Sequence, residues 1–243
     1  MIKKIVWFTL HLQLMLLVAN TAYASDKDSS DPLEGLNRAS YWVTDELDQL
    51  IFRPVAVTYN RVVPGVGRVL VANFYGNMLE VPGIVGGVLQ AKWRLAGKGA
   101  GRLLINSTLG AAGLFDVASR LGLAYHKEDM GQTFGYWGIP SGPYLFIPLL
   151  GPSTVRDSAG LVLDLFLSPY RYVDAMAVRN TLYGVDLVQK RDKLLEVEKL
   201  ILGDKYVFMR DYYLSYRARL IRDGAEIEPE EFDFGDDFDE EFE

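Results

Sequence analysis

Residues 131–157, GQTFGYWGIPSGPYLFIPLLGPSTVRD, constrain this chain more than any other stretch. They are apolar and aromatic, broken throughout by Gly and Pro, and charged only at Arg156 and Asp157. A membrane-spanning helix needs about 20 consecutive apolar residues, and these breakers forbid one. Pro140, Pro143 and Pro148 are too dense for a central strand, which needs every backbone N–H. The composition predicts a rigid, irregular apolar wall with one short extended piece near residues 144–147. Fixed φ angles and tight turns hold the aromatic surface in place. Such a wall suits a protein that touches lipid.

The N-terminus agrees with an exported location. Lys3 and Lys4 form a positive n-region, residues 5–19 an apolar h-region, and Ala22-Tyr23-Ala24 a small-x-small cleavage signal. Residues 1–24 are read as a signal peptide and 25–30 as a polar linker. The competing reading is an uncut anchor helix, for which the h-region is short. The sequence has no Cys. It therefore offers no disulfide and no thiol for a thioether-linked lipid.

The overall charge of −7 misleads. Residues 225–243 carry 11 acidic and no basic side chains, and the leader carries two Lys and no acid. The body, 25–224, is left with 25 − 2 = 23 basic and 32 − 11 = 21 acidic residues, close to neutral. It has no concentrated basic stripe, so nucleic acid is not an expected partner. The tail repels itself, cannot pack a core, and is expected to be disordered.

Between these ends the pattern is helical. Asp31-Pro32-Leu33-Glu34 reads as an N-cap, an N1 proline and an N3 glutamate, opening a helix to about residue 52 that Pro54 kinks or restarts. Short helices follow near 65–79, 81–93, 96–108 and 113–121, separated by Gly or Pro. Ser153 is expected to cap a helix ending before Pro169. Longer helices are expected over 172–202, with an interruption at Gly184, and over 206–222. The fold class is all-α for the most part, one helical domain over 31–224. Gly83, Gly86, Gly87, Gly97, Gly99 and Gly101 each cost helix propensity of up to ~1 kcal/mol relative to Ala. Close helix approach is one return on that cost, and turns or caps the other.

Signals for catalysis are weak. His126 is the one His beyond the leader, so a His/Cys metal site is nearly excluded, and no catalytic residue, metal or cofactor is assigned. The sequence contains no G-x-S-x-G elbow. Residues 97–102, GKGAGR, lack the G-K-[ST] ending of a phosphate loop. His126-Lys127-Glu128-Asp129 reads as a solvated polar loop.

An ordered set of motifs carries a resemblance. DPLEGLNR (31–38), RPVA (53–56), NF (73–74), LINSTLG (104–110) and GLFDVA (113–118) come first. GQTFG (131–135), GPY (142–144), Pro148 and VRD (155–157) follow. The chain resembles the MlaA family, also called VacJ, from about residue 31 to 224. The resemblance implies a ring of helices lying in the periplasmic leaflet of a Gram-negative outer membrane, beside trimeric porins. It implies a channel that passes mislocalised outer-leaflet phospholipid to a soluble periplasmic carrier, with no bond broken. Family members typically carry an acylated lipobox Cys, where this chain has Ala24-Ser25. Retention by an apolar belt and a barrel partner is therefore expected.

Such transport needs an apolar rim for acyl chains and a polar conduit for headgroups. Trp42, Phe134, Trp137, Tyr144 and Phe146 are the belt candidates, with Phe74, Tyr75, Trp93 and Tyr136 beside them. Ordinary core packing is the bland alternative for each. Asn37, Arg38, Asn73, Asn106, Ser107 and Thr108 are conduit candidates, and Arg68, Arg102 and Arg156 could meet phosphate. Residues 109–121 align with a hairpin beside the family's channel. There Leu114 and Phe115 would form a plug, Asp116 a polar mouth, and Gly110 and Gly113 a hinge. Two other function classes stay open: a non-conducting scaffold that binds porin or carrier, and an envelope hydrolase. Lipid co-purifying with the protein separates the first pair, and released product would support the third.

Overall fold

A computed structural model describes residues 31–201 and 203–223. The leader, the linker and the acidic tail fall outside the described residues. The described chain is mostly helical, with one two-stranded sheet. Helix α1 (Glu34–Leu47) runs through a wide turn at Asp48–Phe52 into α2 (Arg53–Val62), with Pro54 in the first turn of α2. The proline sits where its missing N–H costs least, so the helical course continues. Asp31 does not cap α1. Its carboxylate accepts from Asn37 Nδ2 at 2.9 Å and from the Tyr206 hydroxyl, a partner far along the chain.

Helix α3 (Gly65–Leu89) is one 25-residue helix where two were expected, and Pro82 lies inside it, buried. One lost backbone bond does not break a helix whose neighbours pack on both sides of the proline. Helix α4 (Trp93–Thr108) folds back along α3. Gly87 belongs to the close-approach class: a Cβ there would meet the Ala96 backbone nitrogen at 3.2 Å, whereas one at Gly97 would meet nothing within 4 Å. A tight turn leads to the single-turn α5 (Val117–Arg120), and an extended stretch to α6 (Met130–Tyr136). The apolar wall expected over 124–151 is thus partly helical.

Strands β1 (Tyr144–Ile147) and β2 (Gly151–Thr154) pair antiparallel, Tyr144 opposite Thr154 and Ile147 opposite Gly151. The extended piece at 144–147 has the expected bounds; its partner was not anticipated. With two strands, both are edges, and Pro152 is tolerated. Thr154, not Ser153, caps α7 (Val155–Leu167), its hydroxyl accepting from Asp157 N at 3.2 Å. Helix α8 (Met176–Val197) passes Gly184 without interruption. Gly203 adopts φ +83°, and Asp204 caps α9 (Lys205–Ile221) by accepting from the amides of Tyr206 and Val207.

The period-two alternation of β1 turns Tyr144 and Phe146 to one face. That face meets Tyr206 of α9, with Tyr41, Met209 and Tyr213 around it. Tyr41 and Phe146 contact edge to face at 5.4 Å. This small aromatic cluster ties the two ends of the described chain through the hairpin.

Candidate functional site

The distribution of polarity is inverted. Among the described residues, nine hydrophobic side chains are buried against twenty polar or charged ones. Thirty-six large hydrophobic side chains are exposed over the same residues. Charged residues are rarely buried unless paired, and large contiguous apolar exposure marks an interaction surface. Trp42 is 63 % exposed and Trp93 67 % exposed, with Leu50, Ile51, Val62 and Val66 also open. No helix among the described residues is long and apolar enough to cross a membrane.

The buried polar groups form satisfied networks. Arg217 on α9 donates to Asp129 at 2.6 and 2.9 Å and to Asp157 at 2.9 and 3.0 Å. Arg156 pairs with Asp157 at 2.9 Å, and the Tyr213 hydroxyl donates to Asp157 at 2.8 Å. Burial works against a charge on Asp129, and the Arg217 guanidinium more than offsets it, holding the carboxyl at about 2. Asp164, which accepts from the Met130 amide at 3.1 Å, has no such partner. Burial, with the negative Asp129 nearby, pushes it up to about 7. Space for this network comes from glycine. A Cβ on Gly160 would lie 2.3 Å from Gly131 N, so α6 and α7 cross only where both residues lack one.

A second network lies under the 109–116 turn. Arg102 pairs with Glu80 and reaches Asp116 at 3.3 Å. Asn106 donates to Asp116 at 3.1 Å and accepts from Ala118 N at 2.9 Å. Asp116 caps α5 by accepting from Ser119 N. Asn77 donates to the Ser107 hydroxyl at 2.9 Å, and Asn73 to the Leu114 carbonyl at 3.0 Å. Five of the sequence-expected residues, Asn73, Asn106, Ser107, Leu114 and Asp116, therefore meet at one place. Thr108 is exposed and bonds back to Leu104 O, and Phe115 is half exposed at the tip.

Gly110 and Gly113 are not free hinges in this arrangement. A Cβ at Gly110 would fall 2.2 Å from Phe115 O, and one at Gly113 2.6 Å from Asn77 Cβ. The turn demands glycine there for close approach. The unusual conformation lies beside them: Ala111 and Ala112 have φ of +50° and +58°, followed by Gly113 at +90°. A left-handed non-glycine residue costs roughly 1–2 kcal/mol, so the tethers hold a strained turn.

Other candidates have structural employment. Asn37 is buried, donating to Tyr144 O and accepting from Phe146 N, which fixes β1 to α1. Arg38 pairs with Glu34 and Asp204 and lies 4.6 Å over the Tyr206 ring. Neither lines a conduit. Tyr144 and Phe146 sit in the core, not in a belt, because β1 is sandwiched between α1 and α9. Arg102 and Arg156 are buried and paired, and Arg68 is committed to Asp192, so none of the three is open to phosphate. Of the belt candidates, Trp42 and Trp137 are exposed and Phe134 is partly exposed, its ring 6.0 Å from Trp137.

The sequence gave no signal for a third cluster. Tyr125 is 41 % exposed, yet burial pushes its phenol up to about 12. Lys127 is also exposed, and burial lowers its amine. Side chains open to solvent but surrounded by protein face a concave, walled space. Asp129, Asp164, Lys190 and Arg217 act on the Lys127 charge there, from α7, α8, α9 and the cap of α6.

A mostly helical chain with a polar interior, an apolar exterior and no spanning helix belongs to the class that lies in a membrane surface. Comparison with known proteins gives the family. The model of the MlaA lipoprotein family matches residues 29–220. The intermembrane phospholipid transport system lipoprotein MlaA of Escherichia coli is 33 % identical over 91 % of this chain and 90 % of its own. An uncharacterized protein of Rickettsia prowazekii, RP093, is 31 % identical over 79 % of this chain and 75 % of its own. A solved structure, described as the structural basis for maintenance of bacterial outer membrane lipid asymmetry, superposes with a TM-score of 0.70 at 30 % identity. It covers 79 % of this chain and 99 % of the solved one. The chain belongs to the MlaA family.

Proposed function

We propose that this chain is the outer-membrane component of an intermembrane phospholipid transport system. It removes phospholipid that has strayed to the outer leaflet and passes it to a soluble periplasmic carrier, so that lipid asymmetry is kept. The inverted polarity carries the reading: twenty buried polar residues against nine buried hydrophobic ones, with exposed tryptophans outside. Acyl chains need the outside and headgroups need the inside. The helices form a ring in the periplasmic leaflet beside a trimeric porin. With no Cys in this sequence, retention rests on the apolar exterior and the porin.

The turn at 109–116 is the gate. Its strained residues, Ala111 and Ala112, are held by Asn73 and by the packing of Gly113 against Asn77. Release of that strain moves Leu114 and Phe115. The sequence has no Cys, so a single introduced pair reports cleanly. A disulfide between positions 73 and 114 should block lipid passage until reduced, with porin binding unchanged. Cells carrying only this variant should accumulate outer-leaflet phospholipid under oxidising conditions and clear it after reduction. Normal asymmetry with the disulfide formed would remove the gate and favour the non-conducting scaffold.

A further inference from the structure

The loop before α6 carries a cation held in place without a counter-ion. Gln132 Nε2 donates to the Lys127 carbonyl at 3.0 Å, Asp129 caps α6, and the Met130 amide is tied to Asp164. The backbone around Lys127 is therefore fixed on its C-terminal side. Its amine lies 6.0 Å over the Tyr216 ring, and no carboxylate among the described residues is within ion-pair distance. Nor does the Tyr125 or Tyr216 hydroxyl have a hydrogen-bond partner among them. Tyr125 and Tyr216 act on each other electrostatically, which places both phenols beside this amine.

The surrounding charges do not neutralise it. Asp129 is spent on Arg217, Lys190 on Asp186 at 2.7 Å, and Asp164 on the Met130 amide. One ammonium and two phenol groups thus face a protein-walled space with no acceptor supplied. An amine in such surroundings favours an anion brought from outside, because the low local dielectric strengthens the pairing.

We propose that Lys127, with the hydroxyls of Tyr125 and Tyr216, is the contact for the phosphodiester of a glycerophospholipid headgroup inside the molecule. The proposal rests on the phospholipid-transport reading and gives it a phosphate-recognition site. Phosphodiester chemistry explains the donor set: one negative charge and two non-bridging oxygens match one ammonium and two O–H donors. Lys127 is the residue that the sequence places in a solvated loop, and the arginines that the sequence offers to phosphate are engaged elsewhere.

The test uses full-length protein in detergent and dihexanoyl phosphatidylglycerol, with inorganic phosphate as competitor. K127M should weaken lipid binding about tenfold, the loss of one charge-assisted contact, and K127R should retain most of the affinity. Melting temperatures of both should match wild type, since the side chain is exposed. As a measurement on the unaltered protein, lipid should slow acetylation of Lys127 relative to Lys193, followed by mass spectrometry. Unchanged affinity in K127M, or no protection of Lys127 while lipid binds, overturns the phosphate site and leaves the transport reading standing. No lipid binding by wild type defeats both. Equal occupancy by inorganic phosphate at the same concentration overturns the headgroup assignment and makes this a free-anion site.

Discussion

Arg217→Met should be among the most damaging single changes in this protein. The guanidinium contacts Asp129 and Asp157 through four bonds of 2.6–3.0 Å, and all three side chains are buried or nearly so. Methionine keeps most of the volume and removes the charge. Two carboxylates then remain in a low-dielectric site, with Arg156 alone to serve one of them. Breaking a buried pair in this way costs roughly 3–5 kcal/mol. At about 2–4 °C per kcal/mol for a domain of this size, the melting temperature should fall by roughly 10 °C or more. The assay is thermal unfolding in mild detergent at pH 7.5, followed by circular dichroism. The physical claim is that stranded charge, not lost packing, does the damage. Adding Asp129→Asn and Asp157→Asn to Arg217→Met should therefore recover a substantial part of the loss. Asparagine still caps α6 at position 129 and still accepts from Tyr213 at position 157. A drop of only a degree or two in the single variant, or a triple variant no more stable than the single, would refute the reasoning.

Asp164→Asn should raise the melting temperature at pH 8 and leave it unchanged near pH 4. The folded carboxyl sits at about 7 against an unfolded value of about 3.9, so the folded state binds more protons between them. Stability falls as pH rises through that window, by up to about 4 kcal/mol; a wild-type curve without this decline would count against it. Asp129, held at about 2, acts in the opposite sense, contributing stability above about pH 4 that is lost as pH falls toward 2. Trp42→Glu with Trp93→Glu should shift the protein from floated vesicles to the soluble fraction. About half of each indole at ~25 cal/mol per Å² amounts to about 2 kcal/mol per site, and unchanged flotation would place these rings away from lipid. Gly113→Ala should cost more than about 2 kcal/mol from φ +90° and the 2.6 Å approach to Asn77. Gly97→Ala, in open space on α4, should instead stabilise by up to ~1 kcal/mol; the reverse order in urea titrations would contradict the packing of the turn.

Local signals in the chain determined a good deal. The helical class, the extended piece at 144–147, the end of α7 before Pro169 and the caps around Gly203 follow from φ restriction, missing donors and helix periodicity, all local properties. The ordered motifs carried the family, and five hairpin residues named from them do meet in space. Tertiary structure decided the rest. Pro82 breaks a helix by local rules and does not break α3, because flanking packing outweighs one lost bond. Asn37, Arg38, Tyr144 and Phe146 have the chemistry of a conduit or a belt, but their partners lie across the chain, and burial made them structural. Lys127 went the other way. Its four-residue polar motif reads as solvated surface, and only the convergence of α7, α8 and α9 around it makes a walled space. Sequence fixes which groups a residue can offer. Which of them are already taken depends on contacts between residues distant in the chain, and only the folded structure supplies those.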